Sequence, residues 1–322
     1  MILVNRMKMN KYIAYIGILC LCLAACSRME DGPEGRNVMM KVSVGDVAVG
    51  TKAVTAKPYE GSDPGENPLG ASLWFSLQSG QYATAIPTDT DTYIPCHTDV
   101  TFTTSDITPI LYNGNETQAL KYPTNGDYIY CVGFYPQDVW SWDATYRFTA
   151  ELTGSEDLMF APEIRGKWDA QFGTSADNSQ RFSHLLTWFK VVVCASTHDA
   201  ARVWGTINSI SLSTASQVRV TKADGTAVSF AGEQVLTIMD APIELSINQE
   251  EAGSIFCAPS SAITLNITTT EGITATKEMT VQGGFKAGYQ YVMLLYFNEL
   301  ALVDGICTLN SWDNQNDNLY LN

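Results

Sequence analysis

His97, His184 and His198 are all the imidazole this 322-residue chain holds, and no two of them stand at metal-ligand spacing. His184 sits in a run of apolar residues with no acid or cysteine beside it in sequence, so it reads as a hydrogen-bonded core or edge histidine. No nucleophile elbow, phosphate loop or zinc-protease helix is present, and no cofactor motif. Catalytic and metal-ligating residues are therefore expected to be none. Asp89-Thr90-Asp91 and Asp313-Asn314-Gln315-Asn316-Asp317 offer oxygens to a hard cation, but neither has the spacing of a calcium loop and both read as polar turns. Two aromatics stand out as binding candidates. Trp140 and Trp142 follow Pro136 in a predicted loop, where they either stack on a glycan or host protein or lid the end of a β-sandwich core.

The one residue placed for covalent chemistry is Cys26. Lys8 and Lys11 lead into an apolar run over residues 12–25, which closes on Leu23-Ala24-Ala25-Cys26. A positive head, about 14 apolar residues and a small-residue exit describe a secretory signal; a membrane-spanning helix needs about 20. Leu-Ala-Ala-Cys resembles the lipobox of bacterial lipoproteins. That resemblance implies a lipoprotein signal peptide over residues 1–25, cleavage, acylation of Cys26 and a lipidated tether over residues 26–36. Glu30 and Asp31, just beyond, are similar to the acidic tag of lipoproteins sent to the outer face of the outer membrane. Without residues 1–25 the chain carries 16 basic against 34 acidic residues, a net charge of −18 rather than −15. Such a balance offers no basic footprint for nucleic acid and repels an anionic membrane surface, so contact with the membrane falls to the lipid. Beyond Cys26 the cysteines are Cys96, Cys131, Cys194, Cys257 and Cys307. This odd, widely spaced set makes no disulfide framework and reads as buried apolar side chains, with room for one bridge at most.

The elements that carry these residues are strands. Val38, Met40, Val42 and Val44 alternate with Asn37, Met39, Lys41 and Ser43, the period of a half-buried strand. Residues 71–77 hold Trp74 and Phe75. Residues 128–135 form an aromatic strand stopped by Pro136, and residues 157–161 another. A polar stretch at 166–180 marks the domain boundary, giving an N-terminal domain over residues 37–170 and a C-terminal one over 171–322. A long run at 182–195 then opens a series of strands at 209–213, 217–220, 235–239, 263–268, 273–281, 289–297 and 306–312, punctuated by glycines. No stretch after the signal keeps a helical period with caps. Many short strands with glycine-rich turns predict an all-β chain of two tandem antiparallel β-sandwich domains.

Several segments, in order, resemble the fimbrillin family of Bacteroidetes surface pili and its fimbrillin-like lipoproteins. They are the lipobox at Cys26; Thr51-Lys52-Ala53 after the first strand; Gly133-Phe134-Tyr135-Pro136-Gln137; Asp157-Leu158-Met159-Phe160-Ala161; Phe182-Ser183-His184-Leu185-Leu186; Gly288-Tyr289; and Ser311-Trp312. The resemblance implies transthyretin-like sandwiches, a cell-surface or fimbrial location, a role in adhesion, and other pilus subunits as partners. It implies assembly by strand exchange: a protease cuts after a basic residue, the first strand leaves, and a strand of another subunit fills the groove. Lys52 is the residue for that cut and Val38, Met40, Val42 and Val44 the strand removed. Uncleaved, the same strand stays as part of the first sandwich and the lipid on Cys26 is permanent.

Overall fold

The structure is a computed structural model and describes residues 41–42, 69–80, 82, 86–87, 93–94, 97–102, 108–109, 111–112, 115–119, 121–123, 125–143, 147–172, 175, 178, 180–221, 227–239, 241–299 and 303–311. Cys26, Val38, Met40, Val44, Lys52 and Cys96 lie outside these residues, as do the signal, the tether and both acidic turn sequences.

Among the described residues the chain is all-β with one short helix. The first part runs β1 (Lys41–Val42), β2 (Leu69–Ser76), β3 (Ile86–Pro87), β4 (Tyr93–Ile94), β5 (His97–Phe102), β6 (Thr108–Pro109), β7 (Leu111–Tyr112), β8 (Asn115–Ala119), β9 (Ile129–Tyr135), β10 (Ser141–Asp143), β11 (Arg147–Glu151), β12 (Met159–Gly166) and β13 (Ser183–His184). Then come β14 (Thr187–Ala195), helix α1 (His198–Trp204), β15 (Thr206–Thr214), β16 (Gln217–Val220), β17 (Val228–Ala231), β18 (Gln234–Thr237), β19 (Ile243–Glu244), β20 (Glu250–Cys257), β21 (Ser260–Thr269), β22 (Thr274–Phe285), β23 (Tyr289–Phe297) and β24 (Val303–Ser311).

Four larger sheets carry the fold, in the orders β13-β12-β9-β2-β5, β10-β11-β16-β17, β20-β14-β23-β24 and β18-β15-β21-β22. The first two enclose an aromatic core. Trp74 of β2 meets Phe148 of β11 edge-on at 5.2 Å, and Phe134 of β9 lies 4.3 Å from the same ring. The last two enclose an aliphatic core in which Val191, Val193, Met293 and Leu295 face Ile210, Leu212, Leu265 and Ile267. Strand alternation produces this directly: β23 reads exposed or half-buried and buried in turn from Tyr289 to Phe297. Two strands are walls of both cores. Phe189 of β14 and Ile255 of β20 point into the aliphatic core, while their neighbours Trp188 and Phe256 join the aromatic one.

Four features differ from the sequence reading. The run at 182–195 is two strands, because the chain changes sheets between His184 and Thr187: β13 closes the first sheet and β14 opens the third. Moreover, the β16–β17 hairpin returns to the earlier half, with β16 antiparallel to β11 so that Phe148 lies opposite Val220 and Ala150 opposite Val218. β14 and β23 pair in parallel, from Trp188 opposite Gln290 to Ala195 opposite Phe297; the other strand pairs described are antiparallel. Such a pair needs a crossover, supplied by residues 196–288. Finally, residues 198–204 form α1. Thr197 caps it by accepting a hydrogen bond from the Ala200 N–H at 3.0 Å, and Gly205 ends it at φ 64°. Seven residues are too few for a helical period to show in sequence, and only Ala200 and Trp204 of the helix are buried.

Candidate functional site

Of the first alternating segment, residues 37–44, only Lys41 and Val42 are described. β1 pairs with β6 in an antiparallel ladder, Lys41 opposite Pro109 and Val42 opposite Thr108, and this two-stranded sheet is separate from the four larger ones. Pro109 has no N–H to give, so the ladder is short of a donor at one of its two rows. At the other end of the chain β24 is the outermost strand of its sheet, with β23 on one flank. Val303 and Cys307 of β24 face inward; Ile306 faces out, half exposed. Edge strands of this kind leave backbone donors and acceptors for a further strand.

The motif segments converge at one place. Asp157 and His184, which stand 27 residues apart, meet with Nδ1 of His184 2.7 Å from Oδ2 of Asp157. Both side chains are buried, Asp157 completely. The pair is clamped by backbone on both sides. Met159 lies opposite His184 and Phe160 opposite Ser183 in the β12–β13 ladder, and the Leu185 N–H donates to the Leu158 carbonyl at 2.8 Å. His184 thus has an acidic neighbour that its sequence surroundings do not show. No nucleophile accompanies the pair in the hydrogen bonds described, and it ties the segment before β12 to β13 within the first sheet.

A second carboxylate is used in the same structural way. Glu163 accepts from Ser79 Oγ at 2.5 Å, from the Gly80 N–H at 2.9 Å and from the phenol of Tyr82, which is fully buried. Burial, with Glu163 adding to it, pushes the Tyr82 phenol far above its usual pKa. The loop after β2 is held by these bonds, and its sequence announces none of them.

Trp140 is a lid and not an exposed platform. It is 7% exposed, its indole N–H donates to the Tyr135 carbonyl at 3.1 Å, and its ring packs 4.6 Å from Phe134. The ring face needed to stack on a glycan is therefore already occupied. Trp142 belongs to β10 rather than to a loop; its side chain is outside the described set. Cys131, Cys194, Cys257 and Cys307 are free, buried thiols. Burial raises all four, Cys307 to about 12. Such thiols are poor nucleophiles and poor ligands. Among the described residues no cluster of three or more His, Cys, Asp or Glu side chains could hold a metal.

No family model matches the sequence, and no curated protein matches it. Solved structures do resemble the fold. One is a candidate cell adhesion protein from Bacteroides uniformis ATCC 8492, 15% identical, with a TM-score of 0.53 over 86% of this chain and 99% of the other. A second, from Bacteroides ovatus ATCC 8483, is also 15% identical, with a TM-score of 0.50 over 87% of this chain and 99% of the other. A fimbrial assembly protein from Parabacteroides distasonis ATCC 8503 matches at 8% identity and a TM-score of 0.43. At these identities the likeness is one of fold, and it runs through nearly the full length of the solved chains.

Proposed function

We propose that this chain is a fimbrillin-like surface subunit, tethered through lipid on Cys26 to the outer membrane, that acts in adhesion and joins other pilus subunits by β-strand exchange. The observation that carries the proposal is the fold likeness to a candidate cell adhesion protein over 86% of this chain and 99% of that one. Supporting it, Asp157 and His184, from two of the segments that resemble fimbrillins, form one buried pair.

In this reading Val38, Met40, Val42 and Val44 are the strand that leaves, and Lys52 is where the protease cuts. Replacing four apolar side chains in the groove is worth about 1.5–3 kcal/mol each, roughly 6–12 kcal/mol in all. Ordering the incoming strand offsets part of that gain, and its backbone hydrogen bonds add to it. The resulting joint is close to permanent. If Lys52 is left uncut, the lipid on Cys26 keeps the subunit at the membrane, and the role becomes that of an anchor or accessory.

The test is cleavage of the purified, unlipidated protein with a trypsin-like protease. Release of the segment ending at Lys52, followed by SDS-resistant ladders, is expected; a Lys52→Gln variant gives neither. A chain that loses the segment and stays monomeric overturns strand exchange. Labelling of the wild type but not of Cys26→Ala by radioactive palmitate checks the tether, and loss of the protein from intact cells under external protease checks its exposure.

A further inference from the structure

We infer that the end of the β9–β12 ladder is a binding site for a carboxylate-bearing glycan, centred on Tyr128, Arg165 and Trp168. This deepens the adhesive part of the proposed function and rests on it only for the surface location. The Arg165 guanidinium lies 4.8 Å from the centroid of the Tyr128 ring, and the Lys167 ammonium 5.4 Å from the same centroid. Two cations gathered on one ring are unusual in a chain with 34 acids and 19 bases. They are also unequal. Lys167 is engaged by Asp169 at 3.0 Å, whereas Arg165 is exposed and has no ion pair among the described residues.

That inequality sets the chemistry. A guanidinium held over an aromatic face keeps N–H groups that the ring does not use, and its planar fork suits two parallel bonds to a carboxylate. Tyr128 seats the two cations, and half-buried Trp168 beside it leaves apolar surface for the face of a sugar ring. The platform is rigid. The 167–170 turn closes on itself, with the Lys167 N–H donating to the Ala170 carbonyl and the Ala170 N–H to the Lys167 carbonyl, both at 3.0 Å. Facing it, Asn125 accepts from the Asp127 N–H at 3.0 Å, in a turn whose Gly126 adopts φ 84°. A Cβ added at Gly126 would sit 3.6 Å from Trp168 Nε1, which puts the two turns in contact. An aromatic surface, a planar cation with no ion pair among the described residues and a preset turn on each side are what an acidic sugar residue needs. A neutral sugar would leave the Arg165 donors unused.

The experiment is calorimetry on the purified, uncleaved protein with two probes, an oligogalacturonate and the same oligosaccharide after carboxyl reduction. Because the protein stays unpolymerised, failure to form ladders leaves this test intact, and failure here leaves strand exchange intact. Expected is binding of the acidic probe at least tenfold tighter than of the reduced one, weakening as salt rises. Arg165→Gln should remove that preference with an unchanged melting temperature, since the side chain is exposed. Arg165→Lys should restore only part of it, and Trp168→Phe should weaken both probes while keeping the preference. Equal binding of the two probes, binding of neither, or an Arg165→Gln variant that keeps the preference would each overturn the assignment.

Discussion

The two cores of this molecule are built from different material. The aliphatic core lies between long strands, β21, β22, β23 and β24 among them, that follow one another with short connections and alternate cleanly. The aromatic core is assembled from distant pieces: Trp74, Phe134, Trp140, Phe148, Phe160, Val218, Trp188 and Phe256 come from seven different strands and the turn after β9. Its second sheet depends on the β16–β17 hairpin; without it, β10 and β11 would be a lone two-stranded ribbon. Such a ribbon is at best marginally stable in water. The β21–β24 wall of one core is therefore specified locally, whereas the other core needs the later half of the chain to be present. The molecule already uses, within itself, the strand addition proposed for its assembly.

The sharpest way to break this comparison is to remove its hub. Phe134 touches Trp140, Phe148 and Phe160, with centroids 4.6, 4.3 and 5.2 Å away. Phe134→Ala should cost about 3–5 kcal/mol in urea unfolding. It should lower the protection of β16 and β17 in hydrogen exchange more than that of β21 or β23. Leu295→Ala, in the aliphatic core, should show the reverse pattern; uniform loss of protection in both variants would mean the cores are not distinct. Next comes the Asp157–His184 pair. Asp157→Ala takes from buried His184 the carboxylate at 2.7 Å and should cost about 3 kcal/mol. A double replacement, Asp157→Leu with His184→Phe, should recover much of that, as apolar substitutes for a buried pair often do.

Alkali separates the cores more gently. Cys257 and Cys307 belong to the aliphatic core, and burial pushes Cys307 up to about 12. The unfolded thiol ionises first, so stability is complete below the ordinary thiol range, falls as pH rises past about 9 and is lost by about 12. At pH 10 the loss traceable to Cys307 is about 1.4 kcal/mol. Comparing urea midpoints at pH 7 and 10 checks it, and Cys307→Ala should make the difference between the two smaller. The smallest effect expected is at the helix. Thr197→Ala removes the cap of α1 and should cost about 1 kcal/mol in the same assay.

What was legible in sequence follows the same division. Period-two alternation was enough to find β21 and β23, and the aromatic run before Pro136 was enough to find β9, because each strand records its own burial. The β11–β16 joint left no such record, since pairing across 66 residues shows in neither strand alone. Both readings of Trp140, platform and lid, were open in the sequence, because the choice depends on Phe134 and Tyr135 lying beneath it. The Asp157–His184 pair was half visible: both residues stand in segments that resemble fimbrillins, yet nothing in either segment says that they touch. Tyr128 and Arg165, at the site inferred above, are 37 positions apart and join only through the ladder that sets Arg165 opposite Tyr130.

Strand exchange is tested most directly by supplying the strand in trans. A chain beginning at residue 53, mixed with a peptide of residues 36–46, should bind it one to one and gain melting temperature. A peptide with Val38, Met40, Val42 and Val44 changed to Ser should do neither. A shortened chain as stable as the whole and indifferent to the peptide would contradict the existence of the groove, and with it the proposed assembly.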